Sequence, residues 1–245
     1  MLEPSLFALS WRVTRRRLSG SPLAALGALG LPVLVVWLGV VESYATAAKF
    51  FYFLLPHVFL VAAQDAVRSD IDSGALENVL FVGGRFRGYL ASKGLALAVA
   101  VSAYATCLFA LISAWGLAAG AFEPRSVVRF ALALVAGLYY LAWAGALSYL
   151  MRAGSNVLAI LLAQSAALIG LVLSTTSRAG LLDYAATGRF PGLGPKLLFG
   201  ALTALLPNVV VSARLSVFTA EVLAGLVLAV LVQGRLARGL EIRHS

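Results

Sequence analysis

Few residues of this chain carry side chains suited to acid–base, nucleophilic or metal chemistry, and they are widely separated. The 245 residues include two histidines, His57 and His244, and one cysteine, Cys107. A structural zinc site needs about four Cys or His ligands, and a catalytic triad needs a nucleophile beside a base. Neither the zinc-protease pattern H-E-x-x-H nor the hydrolase pattern G-x-S-x-G occurs. The sequence therefore predicts no catalytic site, no metal site and no cofactor bound to this chain.

Two ionisable residues lie within apolar stretches. His57 follows Pro56, and an intramembrane histidine is a candidate proton relay or ligand site. Because no acidic residue shares its stretch and the neighbouring proline interrupts a helix, a structural or cavity-lining role is favoured. Glu221 is an acidic residue inside a second stretch. A functional carboxylate partnered by Arg214 or Lys196 and a position at the membrane interface both remain open for it.

The elements that must position these residues are long apolar stretches. Hydrophobic residues make up 61% of the chain and charged residues 12%, about half the charged fraction of a soluble domain. A hydrocarbon core of roughly 30 Å needs about 20 apolar residues per helix. The candidate spans are 23–41, 50–64, 94–122, 130–151, 153–177 and, more weakly, 215–233. The sequence predicts a single all-α polytopic membrane domain over 1–245, with about six transmembrane helices.

The first apolar stretch and the basic residues set the expected topology. That stretch has 19 residues, longer than the roughly 7–15 of a signal peptide, so it is interpreted as a retained span. With the N-terminus inside, twelve of the nineteen basic residues fall in inner segments, as cytoplasmic loops require. Both termini are therefore expected in the cytoplasm and the protein in the inner or plasma membrane. This distribution accounts for the net charge of +9, so no nucleic-acid partner is expected.

The segment 1–20 predicts an amphipathic helix at the membrane interface. An apolar stripe recurs at helical spacing: Leu2, Leu6, Leu9 and Val13. Its arginines would meet anionic membrane lipid while the stripe lies in the headgroup region. A solvated basic tail is the alternative.

The outer segment 175–214 is the longest connection predicted outside the membrane. It contains the uncharged run 197–213, with Pro207-Asn208 inside it. If this run spans the membrane, Arg235, Arg238 and Arg243 lie outside. If it is re-entrant, they lie inside. The charges and the central Pro-Asn pair favour re-entry, and a span remains the alternative.

The inner segment 65–93 reads DAVRSDIDSGALENVLFVGGRFRGYLASK. Apolar residues at four-residue spacing predict an amphipathic helix of about four turns over 66–82, ended by Gly83-Gly84. Acidic residues on its other faces are unusual beside anionic lipid, so a protein partner explains the helix better. The alternative is a helix that packs on its own spans.

This segment resembles the first cytoplasmic loop of the permeases of type-2 ATP-binding-cassette (ABC) transporters. That loop reads acid, any residue, Gly-Thr-Leu-Glu, a leucine-rich stretch, Pro, any residue, Ser-Arg, and then Lys before the third span. Here the stretch from Asp72 to Glu77 (DSGALE) fits without a gap, and Leu80 and Lys93 also fit. Ala75 replaces the threonine and Gly83 the proline, while 85–87 cover the Ser-Arg region. The six spans, the N-terminal helix and the long outer segment are similar to the same family.

The resemblance implies an exporter subunit that pairs with a second copy or a homologue. Two copies of a cytoplasmic ABC ATPase subunit would drive it, and they would hold the ATP and Mg²⁺. The phosphate-binding pattern G-x-x-x-x-G-K-[ST] is missing from this sequence, which assigns nucleotide binding to another chain. The loop helix would be the coupling helix, and its expected contact residues are Asp70, Ile71, Asp72, Gly74, Leu76, Glu77 and Leu80.

The resemblance also implies that spans one, two and five approach the dimer axis. Polar and aromatic residues on these spans are candidates to line the transport pathway: Trp37, Tyr52, Phe53, His57 and Gln164. A haem-export-type permease of cytochrome maturation is the narrower alternative within the family. A non-transporting membrane scaffold protein is the alternative from another class.

Overall fold

The computed structural model describes residues 4–75, 77, 86–176, 192–208 and 217–244, and within them it contains helices and turns but no β-strand. In chain order the helices are α1 (Pro4–Gly20), α2 (Pro22–Val41), α3 (Tyr44–Ala62), α4 (Arg68–Asp72), α5 (Phe86–Ala118), α6 (Arg125–Leu147), α7 (Ser155–Thr176), α8 (Leu193–Leu205) and α9 (Val217–His244).

Five helices are long and apolar enough to cross a membrane, namely α2, α3, α5, α6 and α9. The predicted all-α multi-pass architecture is therefore confirmed. The predicted span over 153–177 coincides with α7, whose described apolar part, Ser155–Gly170, is shorter than the other five. Helix α8 has 13 residues and is about 20 Å long, less than the roughly 30 Å of a hydrocarbon core.

Serine residues form the N-caps of α2 and α3. Ser21 precedes α2 and its Oγ accepts from the amide of Ala24 at 3.3 Å, while Ser43 does the same for Thr46 before α3 at 3.2 Å. Each serine satisfies an amide that the first helical turn leaves without a backbone partner. The two helices pack against each other as a hairpin, as the short connection predicts.

Four observed helices extend beyond the predicted spans. Helices α3 and α6 begin at Tyr44 and Arg125 rather than at residues 50 and 130, and α5 and α9 differ by more. Helix α5 begins at Phe86 rather than at residue 94, because Lys93 is buried beside a carboxylate and does not end the helix. Helix α9 continues through Arg235 and Arg238 to His244, because a charged residue is compatible with a helix once it lies beyond the hydrocarbon.

Helix α3 lies in the middle of the bundle and packs against α2, α5 and α6, while α9 covers the other side of α6. Close approach depends on glycines that face aromatic rings. A Cβ atom on Gly137 of α6 would lie 2.6 Å from the Phe59 ring of α3, and one on Gly225 of α9 would lie 2.6 Å from Tyr139. Small residues at such contacts allow dispersion to hold helices together where lipid removes the hydrophobic driving force.

Helix α1 packs lengthwise against α5, and the face it buries differs from the predicted apolar stripe. Ser10 and Thr14 are fully buried, whereas Leu9 of the stripe is 47% exposed. Leu6 lies against Gly88 of α5. Small polar side chains bring the two helices close together, and the predicted stripe is divided, because Leu6 contacts α5 whereas Leu9 is exposed.

The segments 63–75, 86–93 and 148–156 meet at one end of the bundle, called here the loop end. Helix α1 reaches it through Arg17, which contacts the carbonyl of Gln64. Helix α9 reaches it through Ala237, which packs beside Tyr149. Both terminal helices therefore extend to the same end of the bundle.

Candidate functional site at the loop end

Two tight turns face each other at the loop end, one between α3 and α4 and one between α6 and α7. Asp65 in the first turn has a φ of +48°, and Gly154 in the second has a φ of +76°. Aspartate and glycine adopt this left-handed backbone more readily than most residues. The Asp65 carboxylate accepts a hydrogen bond from the Gly154 amide at 3.0 Å. The conformation of each turn thus supports the other.

Asn156 and Ser148 add four further bonds at this junction, one of which runs from the Asp65 amide to Asn156 Oδ1 at 3.5 Å. The amide group of Asn156, which is fully buried, donates to the carbonyls of Ala63 at 3.2 Å and Ala144 at 3.0 Å. The Val67 amide donates to Ser148 Oγ at 3.2 Å. A buried carbonyl or amide without a partner is costly, so these bonds make the two turns one rigid unit.

A buried ion pair joins α4 to α5. Lys93 Nζ lies 2.5 Å from Asp70 Oδ2, and the two side chains are only 4% and 8% exposed. The Tyr89 hydroxyl donates to the same carboxylate oxygen at 3.1 Å. Two buried charges are tolerated when they pair and their remaining hydrogen-bonding capacity is met. The arrangement fixes the short helix to the start of the third predicted span.

Arg17 connects α1 to the same region. Its guanidinium donates to the carbonyls of Ala62 at 2.5 Å and Gln64 at 2.9 Å, where a cation compensates the partial negative charge at the C-terminal end of α3. Burial lowers the pKa of Arg17, and the nearby carboxylates of Asp70 and Asp65 act in the opposite direction. An arginine remains charged at neutral pH, so α1 contributes a fixed positive charge here.

The Asp72 carboxylate lies at the surface between two arginines. Its Oδ1 is 2.9 Å from Arg68, one turn earlier in α4, and 3.6 Å from Arg152 in the turn between α6 and α7. The Asp72 side chain is 45% exposed, so the pairs are screened by solvent and contribute little to stability. They nevertheless bring α4 and the second turn together on one exposed surface.

Ile71 packs on an apolar cluster within the chain. The members of this cluster are Val67, Phe86, Tyr89, Leu90, Tyr149 and Ala237, with Ile71, Leu236 and Leu240 packed against it. Burial raises the pKa of the Tyr149 hydroxyl to about 12, so this side chain is neutral at physiological pH. The cluster gives α4 an apolar contact with α5, α9 and the turn that follows α6.

The predicted continuous helix over 66–82 is wrong at Ser73-Gly74. Helix α4 ends at Asp72, and Gly74 has a φ of +69°. A residue in this left-handed conformation ends a helix, and glycine adopts it without strain. Ala75 and Glu77 are helical again, and the rest of the predicted helix lies outside the described residues.

The seven predicted coupling residues thus have different surroundings. Asp70 and Ile71 are directed at the chain's own helices. Asp72 and Glu77 are exposed, and Gly74 forms the break between them. Leu76 and Leu80 lie outside the described residues.

A second polar cluster lies inside the bundle around His57. The Nε2 atom of His57 is 3.1 Å from Gln164 Oε1, and its Nδ1 atom is 3.4 Å from Asn208 Nδ2. The Asn208 amide also donates to the Phe53 carbonyl at 2.5 Å. A neutral imidazole with its proton on Nε2 satisfies both contacts. This pattern matches the structural role favoured for His57.

Three of the five predicted pathway residues, Phe53, His57 and Gln164, come together in that cluster. Tyr52 is separate, buried between Phe51 and Phe109. Trp37 is 57% exposed on the outer face of α2.

Sequence reasoning missed several residues that hold these sites. The sequence assigns no role to Tyr89, Ser148 and Asn156, it assigns Arg17 only to the basic inner segment, and it uses Asn208 only as part of the Pro-Asn pair that favours re-entry. The available signal was a polar residue inside or directly beside an apolar stretch, which must find a partner in the folded chain. In the described ranges, no three His, Cys, Asp or Glu side chains lie close enough to hold a metal ion.

The chain matches no protein-family model, no curated protein and no solved structure.

Proposed function

We propose that this chain is the membrane-spanning subunit of an ABC exporter, driven by a separate cytoplasmic ATPase that docks at the loop end. The five apolar helices supply a membrane body. The family is inferred from a likeness to the coupling loop of type-2 ABC permeases, which covers 72–77, Leu80 and Lys93. The sequence lacks a phosphate-binding pattern, which is consistent with ATP and Mg²⁺ being held by the partner.

The observation that carries this proposal is the buried ion pair between Asp70 and Lys93. A coupling element must pass a displacement into the spans rather than absorb it. The pair joins α4 to α5, and the bond from Val67 to Ser148 joins the preceding turn to the end of α6. Interfaces packed in this way move as rigid bodies. Force applied to α4 would therefore shift several membrane helices together.

The surface that would receive the ATPase has an acidic edge. Asp72 and Glu77 are exposed there, and Arg152 of the second turn lies beside Asp72. A basic rim on the ATPase would complement the two carboxylates, setting partner choice and speed of association. Asp70 and Ile71 anchor the loop from inside, which revises their expected role from docking to positioning.

The orientation follows the distribution of basic residues, with the loop end and both termini in the cytoplasm. The region around α8 would then enter the membrane from the outside as the predicted re-entrant segment, and the bond from the Asn208 amide to the Phe53 carbonyl of α3 supports this interpretation. A second copy of the chain or a homologue would complete the pathway, with two ATPase copies below. Within the family, a haem-export-type permease of cytochrome maturation is the narrower alternative.

A membrane scaffold is the second candidate, and a specific observation favours it. Asp70 and Ile71 already have partners within the chain, as expected for a loop that merely packs on its own spans. The two candidates differ in whether the exposed side of the loop binds a nucleotide-hydrolysing protein.

The experiment is co-purification with a candidate ABC ATPase from the same genome, followed by ATPase assays in lipid nanodiscs. Glu77→Arg places a positive charge on the exposed edge, and Glu42→Arg is the matched control because Glu42 is exposed between α2 and α3 at the opposite end. We expect Glu77→Arg to release the ATPase or abolish its stimulation, and Glu42→Arg to leave both unchanged. Normal ATPase binding and stimulation in Glu77→Arg would contradict the docking surface, and failure of the wild-type chain to bind the ATPase would favour the scaffold.

A further inference from the structure

A groove of about 280 Å³ lies between α1 and α5. Its lining residues are Trp11, Thr14, Arg15, Leu18, Ser19 and Ala100. The walls are apolar, and the only charged lining residue is Arg15. Pockets for drug-sized ligands run from roughly 300 to 1,000 Å³, so the groove has room for part of one extended apolar chain.

The groove lies at the depth where lipid headgroups begin. Ala100 is 18 residues from Ala118, the last residue of α5, which corresponds to about 27 Å along the helix. That distance is close to the roughly 30 Å thickness of a hydrocarbon core. Four residues further into α5, Tyr104 bonds to the carbonyl of Ala28 in α2, a helix that begins at Pro22. The groove therefore opens at the membrane boundary on the side of the loop end.

Arg15 is an uncompensated positive charge at this boundary. Its side chain is exposed, and none of the ion pairs in the described part of the chain involves it. At 100° per residue, Arg15 projects from the same side of α1 as Leu18, whereas Arg16 projects about 100° further round and lines no part of the groove. Trp11, 38% exposed, is of the type that prefers the headgroup region.

We propose that this groove is a binding site for one anionic phospholipid of the cytoplasmic leaflet. An acyl chain would lie along Leu18 and Ala100, and the phosphate would accept hydrogen bonds from the Arg15 guanidinium. Guanidinium and phosphate form strong, directional pairs, and a lipid with net negative charge complements the basic face of α1 better than a zwitterionic one. The bound lipid would fill the gap between α1 and α5 and hold α1 in place.

The test is native mass spectrometry of the full-length protein released from detergent, titrated with phosphatidylglycerol or with phosphatidylcholine of the same acyl chains. The variants are Arg15→Ala, Arg15→Lys, Ala100→Leu and the matched control Arg16→Ala. Leucine at position 100 would project into the groove and shorten it. Gel filtration and circular dichroism select variants that remain folded.

We expect the wild-type protein to retain one phosphatidylglycerol in preference to phosphatidylcholine. Removing one cationic contact should weaken that affinity about fivefold in Arg15→Ala, with partial recovery in Arg15→Lys and no change in Arg16→Ala. Ala100→Leu should weaken the binding of both lipids. Equal retention of the two lipids by the wild type, or equal losses in Arg15→Ala and Arg16→Ala, would overturn the site in favour of diffuse attraction to the arginines. Unchanged binding in Ala100→Leu would place the lipid outside the groove and overturn it as well.

Discussion

Asp70 lies in a five-residue helix outside the predicted spans, and its carboxylate is 2.5 Å from the ammonium of Lys93, which belongs to the longest helix of the bundle. The two residues are 23 positions apart in the chain. Their contact holds α4 against the beginning of α5. The described residues 65–75 are therefore packed on the helical bundle.

The first prediction concerns this ion pair. Lys93→Met leaves Asp70 buried without its counter-ion, and breaking one partner of such a pair costs about 3–5 kcal/mol. The double variant Asp70→Leu/Lys93→Met removes both charges and should recover much of that loss. Asp72→Asn is the control, because its exposed pairs are worth about 1 kcal/mol or less. Denaturant unfolding in detergent measures all three, and equal losses in the single and double variants would refute the pairing.

The second prediction concerns the junction of the two turns. Asn156→Ala removes its hydrogen bonds to the carbonyls of Ala63 and Ala144, which keep the backbone amides of Ala66 and Ser148 as donors, so each lost bond costs about 0.5–1.5 kcal/mol. We expect a loss of about 1–3 kcal/mol in the free energy of unfolding. Ser165→Ala is the matched control on the same helix, because Ser165 is exposed and bonds only to the carbonyl of Leu161 one turn earlier. A loss in Asn156→Ala no larger than that in Ser165→Ala would show that the junction is not held by this amide.

Hydropathy predicted the helices, whereas the contacts that position the loop depend on distant residues. Each apolar stretch must form a helix to satisfy its own backbone in lipid, so length and composition suffice to place it. The third predicted span begins after Lys93 because an unpaired lysine ends a span. No nearby residue in the sequence shows that Asp70 neutralises this lysine. The prediction of one helix over 66–82 depends on apolar periodicity, although the glycine of Ser73-Gly74 is the stronger signal for the end of a helix. Asn156 and Asn208 bind backbone carbonyls of other helices, which have no sequence signature.

The third prediction concerns the contact between α3 and α6. Gly137→Ala places a methyl group about 2.6 Å from the Phe59 ring, and overpacking of this kind costs about 1–3 kcal/mol. Gly30→Ala in α2 is the control, because no atom lies within 4 Å of its added Cβ. Alanine there should be neutral or stabilise the helix by about 0.5–1 kcal/mol. Thermal unfolding in detergent should separate the two variants in opposite directions, and the same shift in both would show that the helices are further apart than the structure has them.

The fourth prediction concerns how α8 is held inside the bundle by Asn208, which follows it in the chain. The Asn208 amide bonds to the Phe53 carbonyl and approaches His57, whose other nitrogen meets Gln164. Asn208→Leu removes both contacts of the amide while keeping a side chain of similar volume. The backbone of α8 should then open more often, because its C-terminal end is no longer tied to α3. We expect amide hydrogen exchange over 198–205 to accelerate about fivefold or more, the equivalent of losing about 1 kcal/mol of hydrogen bonding.

Gln164→Leu separates this local effect from a general loosening of the bundle. It removes the bond to His57 Nε2 but leaves both bonds of Asn208 in place, so α8 should exchange at nearly the wild-type rate. The segment 101–112 of α5 serves as an internal reference, because that helix packs against α1, α3, α6 and α9. Acceleration over 101–112 as large as that over 198–205 would mean that Asn208→Leu unfolds the bundle as a whole. Unchanged exchange over 198–205 would mean that the tie between Asn208 and α3 does not hold α8, and its position would then depend on its apolar packing and on the bond from the Tyr139 hydroxyl to the Ala204 carbonyl.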